Sequence, residues 1–287
     1  MEKKNNKVVV VNDCAHVMET LIPSLQNEFD IRFVKRSRGL WDKTFGILWK
    51  IIRSTGTIFH VNYALQDAYL VSKLKHLDVL ECHGSDVRWI INSRKYGRIV
   101  RSNLKSANII LYSTKDLAKP ISKYRSDARY LPNPIDTNMF QQRTYFNKSL
   151  QAVYFKKYYE TLPLELEPLL SKNMITLTVQ MNNAVPYGYM PNFLRRYDIL
   201  IDRFQIASSS KVCLEAMSSG LAVIDSRHVD TLEDRVAYLS DVNNVKKDGV
   251  ENRKFIMENH SVEKVAPILA DVWKLAIEDV HKLEDPR

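Results

Sequence analysis

Three stretches of the sequence hold residues whose types and spacing suit an anionic, hydroxyl-rich ligand. The first is Leu80-Glu81-Cys82-His83-Gly84-Ser85-Asp86-Val87-Arg88. It sets a histidine just past a short apolar run, at the carboxyl end of an expected strand, where open parallel sheets bind ligands. Gly84 lets the backbone turn close to such a ligand, and Asp86 can cap the next helix or fix the loop. A satisfied loop histidine fits the same residues equally well. The second stretch runs from Ser208 through Ser209, Ser210, Lys211 and Glu215 to Gly220. Serines opening a helix leave N–H groups and a positive dipole end, which suits a diphosphate. Glu215, about one and a half turns further on, is near enough to accept hydrogen bonds from ribose hydroxyls. Plain N-capping with a solvated glutamate explains the pattern as well. The third, Asn12-Asp13-Cys14-Ala15-His16, offers Asp13 and His16, for which local turn-capping is an equal account.

These residues need elements to hold them. Val8 to Val11, Ile31 to Val34, Ile58 to Val61, Val79 to Cys82, Ile109 to Tyr112 and Ala128 to Leu131 read as strands. The helix-spaced stretches between them give βαβ units on a parallel sheet. Leu131-Pro132-Asn133-Pro134 removes backbone donors and pushes its neighbours toward extended conformations, marking the edge of this first series. Polar residues from Gln141 to Lys148 read as a linker. Strands at Ala152 to Phe155, Ile175 to Val179, Ile199 to Ile201 and Ala222 to Ile224 follow, with a helix from about Ser210 to Ser218. From Val262 onward, apolar spacing at Val265, Ile268, Leu269, Val272 and Leu275 predicts a long terminal helix. The expected domains are therefore 1–143, 144–262, and a helix over 263–287 that packs back on the first.

With 287 residues, two α/β domains are a more natural expectation than one core. Cys14, Cys82 and Cys213 are odd in number and far apart, fitting neither a disulfide framework nor a zinc site. No apolar run reaches the roughly 20 residues of a membrane span, and the first residues do not form a signal peptide. A cytoplasmic location is expected. The formal net charge of +9 attracts anionic partners: a nucleotide diphosphate, an acidic lipid surface or a nucleic acid. No nucleic-acid-binding motif accompanies it, so nucleic acid is not expected.

Taken in order, HGSDVR, LPNPIDTNMF, DILIDRF and CLEAMSSGLAVI resemble the family 4 glycosyltransferases (glycosyl transferases group 1). The resemblance covers nearly the whole chain, and Glu215-Ala216-Met217 with Gly220 is its most specific part. It implies an α/β chain of GT-B architecture, two Rossmann-like domains with parallel sheets facing across a cleft. It further implies a retaining transfer from a nucleotide-diphosphate sugar to a hydroxyl of a glycan, lipid or small molecule, with no cofactor and no metal. Carried over by residue, Glu215 matches the family glutamate on the donor ribose. His83 matches the histidine that meets the donor sugar, and these two are the implied catalytic residues. Lys156 and Lys157 fall near a basic pair on the diphosphate, a place that a solvated strand end fits nearly as well. Ser209, Ser210 and Lys211 would line the donor site. Asp13, His16, Asp86 and Arg88 would lie on the acceptor side.

The sequence departs from the pattern in two places. Ala207 stands where the family usually carries a second glutamate, eight positions before the ribose-binding one, and the first loop lacks paired glycines. A catalytically inactive sugar-nucleotide-binding or partner subunit of the same fold is the alternative this suggests. Trp41, Phe45, Leu48, Trp49 and Ile52 recur at helical spacing among Lys43, Lys50 and Arg53. That is a pattern a peripheral helix on an inner membrane surface can show, but a helix packed on its own sheet with its basic residues in water is the favoured reading.

Overall fold

A computed structural model describes residues 6–35, 45–156, 161–181 and 185–284. Lys157, Trp41 and Lys43 lie outside the described residues. The chain divides into two units, 1–134 with 262–287, and 135–261.

Four consecutive valines with no exposed surface form an inner strand of the first sheet, as a parallel strand covered on both faces requires. This strand, β1 (Lys7–Val11), lies between β2 (Asp30–Val34) and β3 (Ile58–Asn62). Beyond β3 come β4 (Val79–Cys82), β5 (Ile109–Tyr112) and β6 (Arg129–Tyr130), every neighbour parallel. Alternate side chains divide the core. Val8, Val10, Ile58, Val79 and Leu111 pack under α1 (Val17–Leu25) and the terminal helix Val262–Glu284. Val9, Val11, Phe59, Val61, Leu80 and Cys82 pack under α2 (Ile47–Ile52), α3 (Gln66–Leu74), α4 (Ser85–Arg88), α5 (Gly97–Ser106) and α6 (Ala118–Ser122).

The second unit repeats the plan with four parallel strands in the order β10-β9-β7-β8. They are β7 (Gln151–Lys156), β8 (Thr176–Met181), β9 (Ile199–Ile201) and β10 (Ala222–Ile224). Helices α7 (Leu166–Lys172), α8 (Met190–Leu194), α9 (Lys211–Ser218), α10 (Leu232–Leu239) and α11 (Val242–Asn259) flank them, and the terminal helix is α12. Val153, Phe155, Leu200 and Val223 face α8 and α9. Tyr154, Ile199, Ile201 and Ile224 face α7 and α10. The crossing of α11 over the turn after α9 depends on Gly249, where a Cβ would stand 2.2 Å from the Gly220 carbonyl oxygen.

Residues Gln141 to Lys148 are not a linker. The chain enters the second unit at Ile135, ahead of the expected boundary at 143, because this segment is held by side chains. Phe140 is fully buried in the second core. The Arg143 guanidinium donates to Asp198 Oδ1 at 2.5 Å, with both side chains buried, and Asn147 Nδ2 donates to Asp198 Oδ2 at 2.8 Å. The return at Val262 follows a parallel bridge between Ile135 and Ser261. The strand expected at Ala128 to Leu131 is only two residues long, and a 3-10 turn, Lys115–Leu117, leads into α6.

Candidate functional site

At the carboxyl ends of the first sheet, Asp86 organises the loop that carries His83. Its carboxylate accepts from the backbone N–H groups of Gly84 (2.9 Å), Val87 (3.0 Å), Ala64 (3.2 Å) and His83 (3.3 Å). Complete burial raises its pKa, against the pull of these four hydrogen bonds. Asp86 is thus turned into the protein and fixes the loop. Arg88 does similar work: Nε donates to Asp116 Oδ2 at 2.6 Å, and Nη2 to Asp116 Oδ1 at 3.0 Å and Thr114 Oγ1 at 2.8 Å. Gly84, at φ 133, leaves the space this guanidinium fills; a Cβ there would meet Arg88 Nη1 at 2.0 Å.

His83 itself is nearly buried, at 5% side-chain exposure. Its Nε2 lies 3.2 Å from Asn62 Oδ1 and 3.6 Å from Glu81 Oε1. Behind it, Glu81 Oε2 stands 3.5 Å from Nε2 of His60. Trp273 of α12 donates its indole N–H to His60 Nδ1 at 3.1 Å. That bond makes Nδ1 an acceptor and puts the His60 proton on Nε2, facing Glu81. Burial pushes His60 down to about 3, so it stays neutral. Trp273, His60, Glu81 and His83 therefore line up from the terminal helix through the sheet to the candidate histidine, although His60 Nε2 makes no hydrogen bond among the described residues.

Sequence reasoning did not single out Glu81 or His60. The available signal was an ionisable residue inside each of two apolar strands, Val79–Cys82 and Ile58–Asn62, every residue of which is buried. An acid two positions before His83 also shares its strand face.

Asp13 and His16 sit in a loop with left-handed backbone at Asn12, Ala15 and His16. Asp13 accepts from the N–H groups of Met18 (3.0 Å) and Glu19 (3.1 Å), capping α1. His16 pairs with Glu19, which also pairs with Lys35. Local contacts account for both residues.

In the second unit the carboxyl ends of β9 and β10 gather Asp202, Asp225, Arg227 and the start of α9. Ser210 N-caps α9: its Oγ accepts from Cys213 N–H at 3.1 Å, while its own N–H donates to Asp202 Oδ2 at 2.7 Å. Ser209 hydrogen-bonds the buried Cys213 thiol. Hydrogen bonds and the Arg227 guanidinium hold Asp225 well below the usual carboxylate range despite its burial. Lys156 ends β7 exposed to solvent. Glu215 is the fifth residue of α9 and only 2% exposed. Its Oε1 makes no hydrogen bond among the described residues, and Lys211 Nζ stands 3.9 Å away. Burial pushes the Glu215 carboxyl up to about 7, opposed by the Lys211 charge and a hydrogen bond with Tyr187. The Lys211 ammonium also lies 5.4 Å from the Tyr187 ring centroid.

No protein-family profile and no curated sequence matches the chain. Solved structures do. Sucrose-phosphate synthase from Thermosynechococcus elongatus superposes with a TM-score of 0.67 at 9% identity, over 95% of this chain and 100% of that one. Anabaena HepE, solved in complex with UDP-glucose, gives 0.63 at 9% identity, over 93% and 99%. The fold is GT-B. The N-terminal domain of trehalose-6-phosphate phosphatase from Candida albicans gives 0.54 at 8% identity, over 94% and 90%. At such identities the likeness is one of fold, and function has to be argued from the GT-B chain's own site.

Proposed function

We propose that this chain is a retaining glycosyltransferase resembling family 4, moving a sugar, of hexose type, from a nucleotide-diphosphate sugar to a hydroxyl of a glycan, lipid or small molecule. The observation that carries the reading is Glu215: a buried carboxylate with an oxygen lacking a hydrogen bond, in a helix whose capped N-terminus and Lys211 suit a diphosphate. An unmet buried acceptor is costly, and a ribose diol would satisfy it. In this reading Lys156, Lys157, Lys211 and the positive end of α9 neutralise the leaving diphosphate, the electrostatic term that dominates such catalysis. The acceptor oxygen bonds to the anomeric carbon as the bond to the diphosphate breaks. The acceptor proton departs with the nucleoside diphosphate, and the transition state is ion-pair-like. His83 stabilises charge at the donor sugar, held by Asn62 and Glu81, and no metal takes part.

A cytoplasmic location and contact of Trp41–Arg53 with the inner membrane surface belong to the same reading. Among the described residues, no helix is long and apolar enough to cross a membrane. Ala207 favours a second reading, a subunit that binds the donor without turning it over.

The test is a thermal-shift screen with UDP-, GDP-, ADP- and dTDP-sugars. A ligand at a hundred times its dissociation constant stabilises by about 2.7 kcal/mol. One donor should raise the melting temperature of the wild type and not of Glu215→Ala. A shift that survives in Glu215→Ala removes the assignment of α9, and donor binding with no turnover of any acceptor supports the second reading.

A further inference from the structure

The formal charge of +9 is not spread over the chain. Residues 135–261 hold fifteen Lys and Arg against fifteen Asp and Glu, so the whole excess belongs to the first unit. There it concentrates between residues 45 and 129, with fifteen Lys and Arg against six carboxylates. Those six do little to balance the surface: Asp67, Asp78, Glu81 and Asp86 are buried, Asp116 pairs with Arg88, and Asp127 with Arg125.

The helices arrange these cations on one layer. On α5, Gly97, Val100 and Leu104 are buried. Arg98 and Lys105 are exposed on the helix surface, with Arg94 exposed just ahead of it, while the half-buried Arg101 donates to the Ile91 carbonyl. On α6, Ile121 points inward, while Lys119 and Lys123 are exposed. Arg125 ties the two together by donating to the carbonyls of Leu104 (3.3 Å), Ala107 (2.6 Å) and Asn108 (3.0 Å) at the end of α5. Helix α2 lies over the same core cluster with Ile47 and Ile51 turned inward. That leaves Phe45, Trp49 and Ile52 at 59%, 55% and 44% exposure, with the Arg53 guanidinium 4.2 Å from the Trp49 ring centroid.

A soluble polyanion would satisfy the cations and leave the Phe45, Trp49 and Ile52 stripe in water. An anionic bilayer satisfies both, with cations at the headgroups and the aromatic stripe at the acyl boundary. We infer that the layer formed by α2, α3, α5 and α6 of the first unit is a docking face for an anionic lipid bilayer. This extends the contact proposed for Trp41–Arg53 to α5 and α6, and does not depend on the transfer reaction.

The experiment sediments the full chain with vesicles of phosphatidylcholine alone, or with one third phosphatidylglycerol (about 30%, a charge density that attracts basic segments). Capture by the anionic vesicles only is expected, weakening with salt as the screening length falls from about 10 Å at 0.1 M to about 3 Å at 1 M. Each surface cation contributes about fivefold to partition, so Lys119→Ala with Lys123→Ala should bind about 25-fold more weakly. Trp49→Ala should weaken binding at high salt as well as low. Both variants should keep the wild-type melting temperature and the wild-type response to nucleotide sugars, present or absent, which separates failure of docking from failure of the transferase reading. Equal capture by neutral vesicles, or variants that bind like wild type, overturns the inference. So does retention on heparin without capture by anionic vesicles, which would assign the basic layer to a soluble polyanion.

Discussion

Replacing Glu215 by glutamine keeps the shape of the side chain and removes its titration. In the folded chain this carboxyl titrates at about 7, against 4.5 for an exposed glutamate, and burial is the first cause. Below about pH 4.5 both folded and unfolded chains hold the proton and nothing is lost. Between 4.5 and 7 the unfolded chain releases it while the folded chain retains it, so stability falls as pH rises and levels off above 7. At 1.36 kcal/mol per pH unit, the move from 4.5 to about 7 corresponds to about 3 kcal/mol. Glu215→Gln should therefore gain about 3 kcal/mol on the wild type between pH 4.5 and pH 8. In a domain of this size that amounts to a rise in melting temperature on the order of 10 °C.

The four tryptophans, at 41, 49, 89 and 273, all belong to the first unit. Circular dichroism therefore has to follow the second unit, and tryptophan emission serves as an internal control for the first. The same variant should bind nucleotide sugars about 10- to 100-fold more weakly, since a hydrogen bond to a charged acceptor is worth about 1.5–3 kcal/mol. Parallel pH–stability curves for Glu215→Gln and wild type would refute the argument that the buried carboxyl is the titrating group.

Three further outcomes are expected. Arg143→Ala leaves the Asp198 carboxylate buried without its partner and should cost about 3–5 kcal/mol in urea unfolding, with Asp198→Asn in the same chain restoring part of it. Trp273→Phe removes the donor to His60 Nδ1 and should cost about 1–3 kcal/mol for the unmet buried acceptor; nitrogen chemical shifts of the His60 ring would then report a changed tautomer. Gly84→Ala forces Arg88 from its place and puts a Cβ on backbone at φ 133, so a loss of about 1–3 kcal/mol and faster proteolysis of the His83 loop are expected.

The strands of this protein were legible because parallel sheets buried on both faces demand short β-branched runs, and Val8 to Val11 or Ile199 to Ile201 serve almost no other end. Helix α9 was legible for a local reason too, its serine cap followed by a buried stripe ending at Gly220. What escaped depended on partners distant in sequence. Gln141 to Lys148 looks like a polar linker until Asp198 is seen to bind Arg143 and Asn147 across some fifty positions. That Asp86 fixes its loop was legible, but the N–H of Ala64, twenty-two positions away, on its carboxylate was not. His60 takes its tautomer from a tryptophan 213 residues away. Spacing in a sequence locates the groups able to do chemistry, but whether a carboxylate faces a ligand or the protein's own backbone depends on which N–H groups the fold brings to it. In this chain that divides Asp86, whose oxygens are met by four backbone donors, from Glu215, one of whose oxygens makes no hydrogen bond among the described residues.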